Sequence, residues 1–182
     1  MGKRVPFDFY KTFMSLDEKY DVLFLSDRSE KFYTNGVRGF AKTENDIWGN
    51  ILKLGAYKEY YFVGTSMGGY GAIYHGWALA NYAETALDKY KVNVLVLNPY
   101  IDPIIKLRKY GTDLTKVIRP SKKFGKIWLI YGGSESDILQ ANLLRWTLPL
   151  EATCYSECMH HNIAGWMKAK NLLSPLIEKF LN

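Results

Sequence analysis

The stretch EYYFVGTSMGGYGAIYHG, residues 59–76, decides how the fold of this chain can be interpreted. It begins with aromatic and β-branched residues, which favour a strand. It ends in the start of an alanine-rich segment of helical length, residues 71–90. Between the two, Gly64-Thr65-Ser66-Met67-Gly68 matches the pattern G-x-S-x-G. A serine on such a sharp strand-to-helix turn projects its hydroxyl above the sheet, so we predict that Ser66 is an exposed nucleophile. The N–H of Met67, at the helix start, is the predicted oxyanion donor.

Five apolar runs predict the strands of a sheet. They are short and continuously apolar, which is typical of strands covered on both faces in a parallel sheet. The runs are residues 21–27, 59–64, 92–100, 126–133 and, more weakly, 151–157. Segments of helical length lie between and after them, at 44–56, 71–90, 137–147 and 162–181. The alternation predicts a single α/β domain over residues 1–182, a three-layer sandwich with a mainly parallel sheet of about five to six strands.

Two helical segments carry signals at defined residues. Asp137 stands at the start of its segment, where an aspartate can cap a helix. Pro175 lies inside the last segment, so we expect that helix to bend or break there.

A serine hydroxyl needs a base to act as a nucleophile, and the chain has 3 histidines. His75 lies on the helix that follows Ser66 and cannot fold back to meet it. His160 and His161 follow the last predicted strand, where a loop can bring an imidazole to the carboxyl edge of the sheet. We favour His161, which directly precedes the final helix, and keep His160 as the alternative base.

An acid is needed to orient the histidine, and it should follow a neighbouring strand. Asp137 follows the 126–133 run, with Glu135 as a nearby competitor. Asp102 follows the strand before and is a third candidate. We predict Asp137 as the acid.

Composition and charge limit the classes of function. The chain has 182 residues and a formal charge of +6, and no apolar segment approaches the roughly 20 residues of a membrane helix. The N-terminal residues lack the apolar core of a secretory signal, so we expect a cytoplasmic protein. Cys154 and Cys158 are predicted to be reduced thiols. A zinc site built from them with His160 and His161 is disfavoured by geometry, so we expect no metal and no resident cofactor.

A basic stretch lies between residues 106 and 126, with one acid, Asp113, inside it. Its cations are Lys106, Arg108, Lys109, Lys116, Arg119, Lys122, Lys123 and Lys126. A solvated surface is the commoner meaning of such a run, but it could also receive an anionic substrate, and Lys122 and Lys123 are candidate substrate-binding residues. No nucleic-acid recognition motif accompanies the stretch, so nucleic acid is not an expected partner.

The turn GTSMGG, the acid after IWLIYGG and the histidine after the last strand resemble the α/β-hydrolase superfamily, over about Val22 to Leu181. The resemblance implies a minimal form of that fold without a large lid. It also implies that a second oxyanion donor comes from the loop SDRSEKFYTNGVRG, residues 26–39, through the backbone N–H of Asp27 or Ser26. Arg28 in the same loop is a further candidate substrate-binding residue.

The expected activity is ester hydrolysis through Ser66, His161 and Asp137 and an acyl-enzyme intermediate. A small-molecule ester or an acylated glycan is the expected substrate. One alternative is an O-acyltransferase or de-acylase acting on a cell-surface glycan, with acyl-CoA as the donor for transfer. A second alternative is a non-catalytic binding protein with this fold.

Overall fold

The computed structural model describes residues 9–16, 19–85, 90–101 and 114–182, which form four strands and seven helices. In chain order these are α1 Tyr10–Met14, α2 Glu44–Leu54, β1 Glu59–Thr65, α3 Met67–Thr85, β2 Lys91–Leu97, α4 Leu114–Val117, β3 Phe124–Gly132, α5 Glu135–Thr147, β4 Glu151–Tyr155, α6 Ile163–Ala169 and α7 Leu173–Leu181. None of the helices in these ranges is long and apolar enough to cross a membrane.

The four strands form one parallel sheet in the order β1-β2-β3-β4. β1 and β2 pair in continuous register from Glu59↔Lys91 to Thr65↔Leu97. Because the strands all run the same way, their carboxyl ends meet at one edge of the sheet. We call this edge the carboxyl edge, and the residues that directly follow the strands there are Ser66, Asn98, Gly133 and Ser156.

Helices cover both faces of the sheet. Successive side chains of a strand point to opposite faces, and β2 is buried at every position after its first. Val94 and Val96 pack into a core with side chains of α3 and α5. Leu95 and Leu97 pack into a second core with side chains of α6 and α7. The predicted α/β class, with a parallel sheet flanked by helices, is confirmed, while the edge strand β4 is largely exposed.

The expected number of strands is wrong, because the 21–27 segment forms no strand and the sheet has four strands in the described ranges rather than five to six. Its apolar side chains find other partners. Phe24 packs against the rings of Tyr10 and Phe13, with centroid distances of 5.2 and 6.4 Å. Leu25 joins a small cluster beside α2. Helix and loop contacts therefore account for the apolar run, without a ladder to β1.

The C-terminal segment is broken into two helices, but not at Pro175. The break falls between α6 and α7, where Asn171 takes a left-handed conformation with φ of 57°. Asparagine tolerates that conformation better than most residues. Pro175 lies in the first turn of α7, where a missing N–H costs no hydrogen bond.

Candidate active site

Ser66 lies between β1 and α3, on the sharp turn that the sequence predicts. Its φ is 53°, in the left-handed region. Its N–H donates to the carbonyl of Leu97 at 3.0 Å, and its carbonyl accepts from the N–H of Tyr100 at 3.3 Å. A non-glycine residue in this region is uncommon and is held there only when its surroundings impose it. Here the hydrogen bonds to Leu97 and Tyr100 hold Ser66 in the left-handed conformation.

Gly64 is the glycine that the turn requires. A Cβ at Gly64 would lie 2.1 Å from the carbonyl oxygen of Gly68, so any side chain would push β1 and α3 apart. At Gly68 itself a Cβ would meet only the Tyr33 hydroxyl, at 3.9 Å. A collision with neighbouring backbone therefore requires glycine at position 64 and not at position 68.

A chain of hydrogen bonds joins Ser66, His161 and Asp137. Nε2 of His161 lies 2.8 Å from Oγ of Ser66, and Nδ1 lies 2.6 Å from Oδ1 of Asp137. A carboxylate can only accept, so Nδ1 carries the proton and Nε2 is left to accept from the serine hydroxyl. The Asp137 side chain is 2% exposed and the His161 side chain 34%. This arrangement can take up the serine proton, with the imidazole still reachable from outside.

The Asp137 carboxylate is held by two further donors. Its Oδ2 accepts from Oγ of Ser134 at 2.6 Å and from Nδ2 of Asn98 at 3.2 Å. Ser134, not Asp137, caps α5, so the expected capping role of Asp137 is wrong. Asp137 lies in the first turn, where the helix dipole favours a negative charge, and its carboxylate is free to meet His161. Glu135, the competing acid, is exposed at the first position of the same helix.

Asn98 is a site residue that sequence reasoning missed. It is 1% exposed, has a φ of 41° and directly follows β2. Besides its bond to Asp137, its Nδ2 donates to the carbonyl of His161 at 2.8 Å, and its Oδ1 accepts from the N–H of Gly132 at 2.9 Å. One side chain thus fixes the acid, the base and the end of β3. The available signal was a polar residue ending the most buried strand.

The loop that carries His161 is anchored at the carboxyl edge. The N–H of Gly133 donates to the carbonyl of Cys158 at 2.8 Å, and the N–H of Ile163 donates to the carbonyl of His161 at 2.9 Å. The ring of Tyr100 stacks on the His161 imidazole at 4.7 Å between centroids. His160 is exposed, and its imidazole has no hydrogen-bond partner in the described part of the chain. His161 is therefore the histidine that contacts Ser66.

Asp27 organises the loop that follows the 21–27 segment, which we call the Asp27 loop, residues 27–36. Its carboxylate accepts from the N–H groups of Ser29 at 2.9 Å, Lys31 at 2.8 Å and Tyr33 at 2.9 Å, and from the Ser29 hydroxyl. Burial raises the pKa of Asp27, but these hydrogen bonds outweigh burial and leave its pKa below the ordinary value. Glu30 and Tyr33 both have a positive φ, which is a strained conformation for residues other than glycine. The hydrogen bonds to the Asp27 carboxylate hold the loop in that conformation.

The Asp27 loop packs beside Ser66 and His161. Phe32 is 1% exposed and lies edge-on to Tyr100, the residue that stacks on His161. Tyr33 lies against α3, where a Cβ at Gly71 would come 2.7 Å from its ring. The loop thus contacts α3 and the residue that stacks on His161. The N–H groups of Met67, the first residue of α3, and of Asp27 or Ser26 stay the predicted donors.

The structure does not bring Lys122 and Lys123 to this site. Both directly precede β3, whereas the site residues follow carboxyl ends. β3 has 9 residues, and at about 3.3 Å per residue the two lysines lie roughly 30 Å from the carboxyl edge. Arg28 is exposed in the Asp27 loop. The basic residues Lys106, Arg108 and Lys109, the acid Asp113 and the acid candidate Asp102 lie outside the described residues.

The thiols and imidazoles of the C-terminal half do not converge. Cys154 is exposed and Cys158 is buried, and both are free. Cys158 donates to the carbonyl of His160, while the His161 imidazole is engaged with Ser66 and Asp137. Among the described residues no group of three or more His, Cys, Asp or Glu side chains could hold a metal ion.

His75 lies in α3 and is 3% exposed, between the rings of Tyr33 and Tyr74. Within the described ranges neither of its ring nitrogens has a hydrogen-bond partner. Burial lowers the pKa of His75 from 6.5 to about 4. It is therefore a buried neutral imidazole and does not belong to the hydrogen-bonded chain.

This burial predicts a loss of stability on acidification. Between pH 6.5 and 4 the unfolded chain takes up a proton at His75 and the native protein does not, so the free energy of unfolding falls as the pH falls. His75→Leu should be about 1–3 kcal/mol more stable at pH 7, because two unpaired nitrogens are removed. From pH 7 to 4.5 it should lose about 2 kcal/mol less than the parent protein. Urea unfolding of both proteins at both pH values checks this, and an equal loss in the two would contradict it.

Comparison of the chain with models of known protein families, with curated proteins and with solved structures finds no match. A proposal about its function therefore depends on the residues and the geometry of this chain.

Proposed function

We propose that this protein is a serine esterase with a minimal α/β-hydrolase fold, in which Ser66 is the nucleophile, His161 the general base and Asp137 the residue that orients it. The observation that carries the proposal is the hydrogen-bonded chain, with 2.8 Å from Ser66 to His161 and 2.6 Å from His161 to Asp137. Three residues distant in sequence form the serine–histidine–carboxylate chain that nucleophilic catalysis by a hydroxyl requires.

In the first step Oγ of Ser66 attacks the ester carbonyl carbon while its proton moves to Nε2 of His161. The carbonyl oxygen becomes an oxyanion, which the N–H of Met67 and a second N–H from the start of the Asp27 loop would stabilise. When the tetrahedral intermediate collapses, the bond to the leaving alcohol breaks and Nε2 returns the proton to that alcohol. The product is an acyl group on Ser66.

In the second step an acceptor hydroxyl gives its proton to Nε2 of His161 and attacks the acyl carbon. Ser66 leaves and recovers its proton. The Asp137 carboxylate stabilises the imidazolium formed in both steps and keeps the proton on Nδ1. Since the carboxylate also accepts from Ser134 and Asn98, it does not need to move during the cycle.

The acceptor decides between hydrolysis and transfer. With water the enzyme is an esterase, or a glycan de-acylase where the ester is an acylated sugar. With a sugar hydroxyl as the acceptor the same residues make it an O-acyltransferase. The His161 side chain is 34% exposed, so an acceptor larger than water could reach Nε2. This exposure supports O-acyl transfer to a sugar as the second candidate function. Product analysis with an acyl-CoA donor and a glycan acceptor would separate the two.

A fluorophosphonate probe tests the nucleophile directly. Its phosphorus bonds to an activated serine oxygen and fluoride leaves, so the parent protein should be labelled at Ser66 in a one-to-one ratio. Ser66→Ala should not be labelled. Digestion and mass spectrometry place the label on a peptide.

Ser174→Ala is the matched control, because Ser174 is an exposed serine of α7. It should be labelled as the parent protein is. Equal labelling of Ser66→Ala and the parent would overturn the assignment of the nucleophile, and an unlabelled parent would favour the non-catalytic alternative.

A further inference from the structure

A second feature lies beside the Asp27 loop. It is an open pocket of about 900 Å³ between the Asp27 loop, the residues that follow it and α2. Pockets of 300–1,000 Å³ are typical of sites for small organic ligands, and a single inorganic ion would not fill this one. We call it the Arg38 pocket.

Three cationic side chains line the Arg38 pocket. They are Arg28, Arg38 and Lys42, and all three are exposed. In the described part of the chain none of them makes a salt bridge. Cations that converge on a concavity without an internal partner attract anions, and an arginine can grip a carboxylate or a phosphate with two parallel hydrogen bonds.

The two acids of the pocket are already engaged. The Asp27 carboxylate accepts four hydrogen bonds from its own loop. Asp46 accepts from the N–H of Thr43 at 2.9 Å, in the capping box that begins α2. Neither carboxylate pairs with the three cations, so positive charge remains available to a ligand.

The three cations are presented by rigid backbone. Arg28 follows the residue whose carboxylate folds the Asp27 loop. Arg38 lies in a tight turn closed by a two-way bridge, in which the N–H of Val37 donates to the carbonyl of Ala41 at 2.9 Å and the N–H of Ala41 returns a bond at 2.8 Å. Lys42 directly follows this turn. Nδ2 of Asn50 donates to the carbonyl of Phe40 at 2.6 Å and ties the turn to α2. A backbone held in this way loses little conformational freedom on binding, so the ordering cost falls on the three side chains.

The Asp27 loop contributes residues both to the pocket and to the surroundings of the proposed active site. The Asp27 loop contributes Asp27, Arg28 and Ser29 to the pocket, while Phe32 of the same loop packs on Tyr100, which stacks on His161. The Asp27 loop therefore lies between the three cations and the residues that surround His161.

We propose that the Arg38 pocket binds an oxyanion group of the substrate, a carboxylate or a phosphate carried on a unit of about monosaccharide size, through Arg28, Arg38 and Lys42. The proposal rests on the proposed esterase function, because it assigns the bound group to the substrate of that reaction. Binding itself can be measured without catalysis. It replaces Lys122 and Lys123, which lie at the opposite edge of the sheet, as the place where an anionic substrate is recognised.

The test uses the Ser66→Ala variant and three sugars of similar size, glucose 6-phosphate, glucuronate and glucose, with isothermal titration calorimetry as the readout. At least one of the two anionic sugars should bind saturably and about tenfold or more tightly than glucose, because charge-assisted hydrogen bonds are roughly twice as strong as neutral ones. Which anion binds distinguishes a carboxylate from a phosphate. Adding Arg38→Gln and Lys42→Gln should weaken that binding about tenfold or more.

The matched control is Lys58→Gln with Lys91→Gln, which removes the same charge from exposed residues at the amino ends of β1 and β2. It should change the dissociation constant by less than about twofold, since a remote exposed charge is screened. Arg28→Gln, in the Asp27 loop, should weaken binding even as a single substitution in the pocket. No saturable binding of either anion, equal binding of all three sugars, or an equal loss in the control would overturn the proposal. None of these results depends on whether Ser66 is a nucleophile.

Discussion

Replacing His161 with alanine is expected to lower kcat/KM for ester hydrolysis by about 10⁴-fold. The reason is that the proton of Ser66 would have no acceptor, since Nε2 of His161, the proposed base, lies 2.8 Å from its oxygen. KM should change much less than kcat, because the imidazole acts on the reacting atoms and not on the remote parts of the substrate. Steady-state kinetics with a chromogenic short-chain ester, on enzyme shown to be folded, measures the effect.

His160→Ala is the control that the chain itself provides. It removes the same group from the adjacent residue, which is exposed and lies outside the hydrogen-bonded chain. We expect kcat/KM within about threefold of the parent protein, as for a surface substitution away from the reacting atoms. A large loss in His160→Ala with retained activity in His161→Ala would transfer the role of base to His160.

Gly64→Ala is expected to have the largest effect on folding, a loss of about 3 kcal/mol or more in the free energy of unfolding. Its methyl group would lie 2.1 Å from the carbonyl oxygen of Gly68 and 2.4 Å from the carbonyl carbon, and backbone atoms cannot rotate out of the way. β1 and α3 would have to separate at the turn that holds Ser66. Activity should be lost together with stability, as urea unfolding and ester hydrolysis would both report.

Gly68→Ala separates this collision from a general requirement for glycine in the motif. Its methyl group would come no closer than 3.9 Å to the Tyr33 hydroxyl, and its φ is not in the left-handed region. We expect a stability within about 1 kcal/mol of the parent protein. Equal losses at the two positions would show that crowding at Gly64 is not the reason for the motif.

Local patterns predicted the parts of the fold and of the site that depend on one strand and its neighbouring turn. The runs at β1, β2, β3 and β4 were each placed within a few residues of their observed bounds. The parallel order of the strands then requires that Ser66, Asp137 and His161 share an edge, because each follows a carboxyl end. Their meeting within hydrogen-bond distance agrees with the predicted chemistry, whose test is kinetic.

What could not be predicted depends on contacts between distant segments. The 21–27 run has the composition of a strand, and only the positions of α1 and α2 show that its side chains are covered without a ladder. Lys122 and Lys123 drew attention through local charge density, which does not tell which end of a strand they occupy. Asn98 carries no motif, and its role arises from the meeting of the ends of β2 and β3 with the His161 loop. The cations of the Arg38 pocket are spread over fifteen positions of chain, counted from Arg28 to Lys42, and no run marks them.

The most direct test of the central claim is to trap the acyl-enzyme. Mixed with 4-nitrophenyl acetate and followed by stopped flow, the parent protein should release a burst of about one equivalent of nitrophenol, because formation of the acyl-enzyme precedes its hydrolysis. Acid quenching during the burst, followed by digestion and mass spectrometry, should place one acetyl group on the peptide that contains Ser66. A burst without an acetyl group on Ser66, or an acetyl group on another residue such as the exposed Cys154, would contradict the claim that Ser66 is the nucleophile.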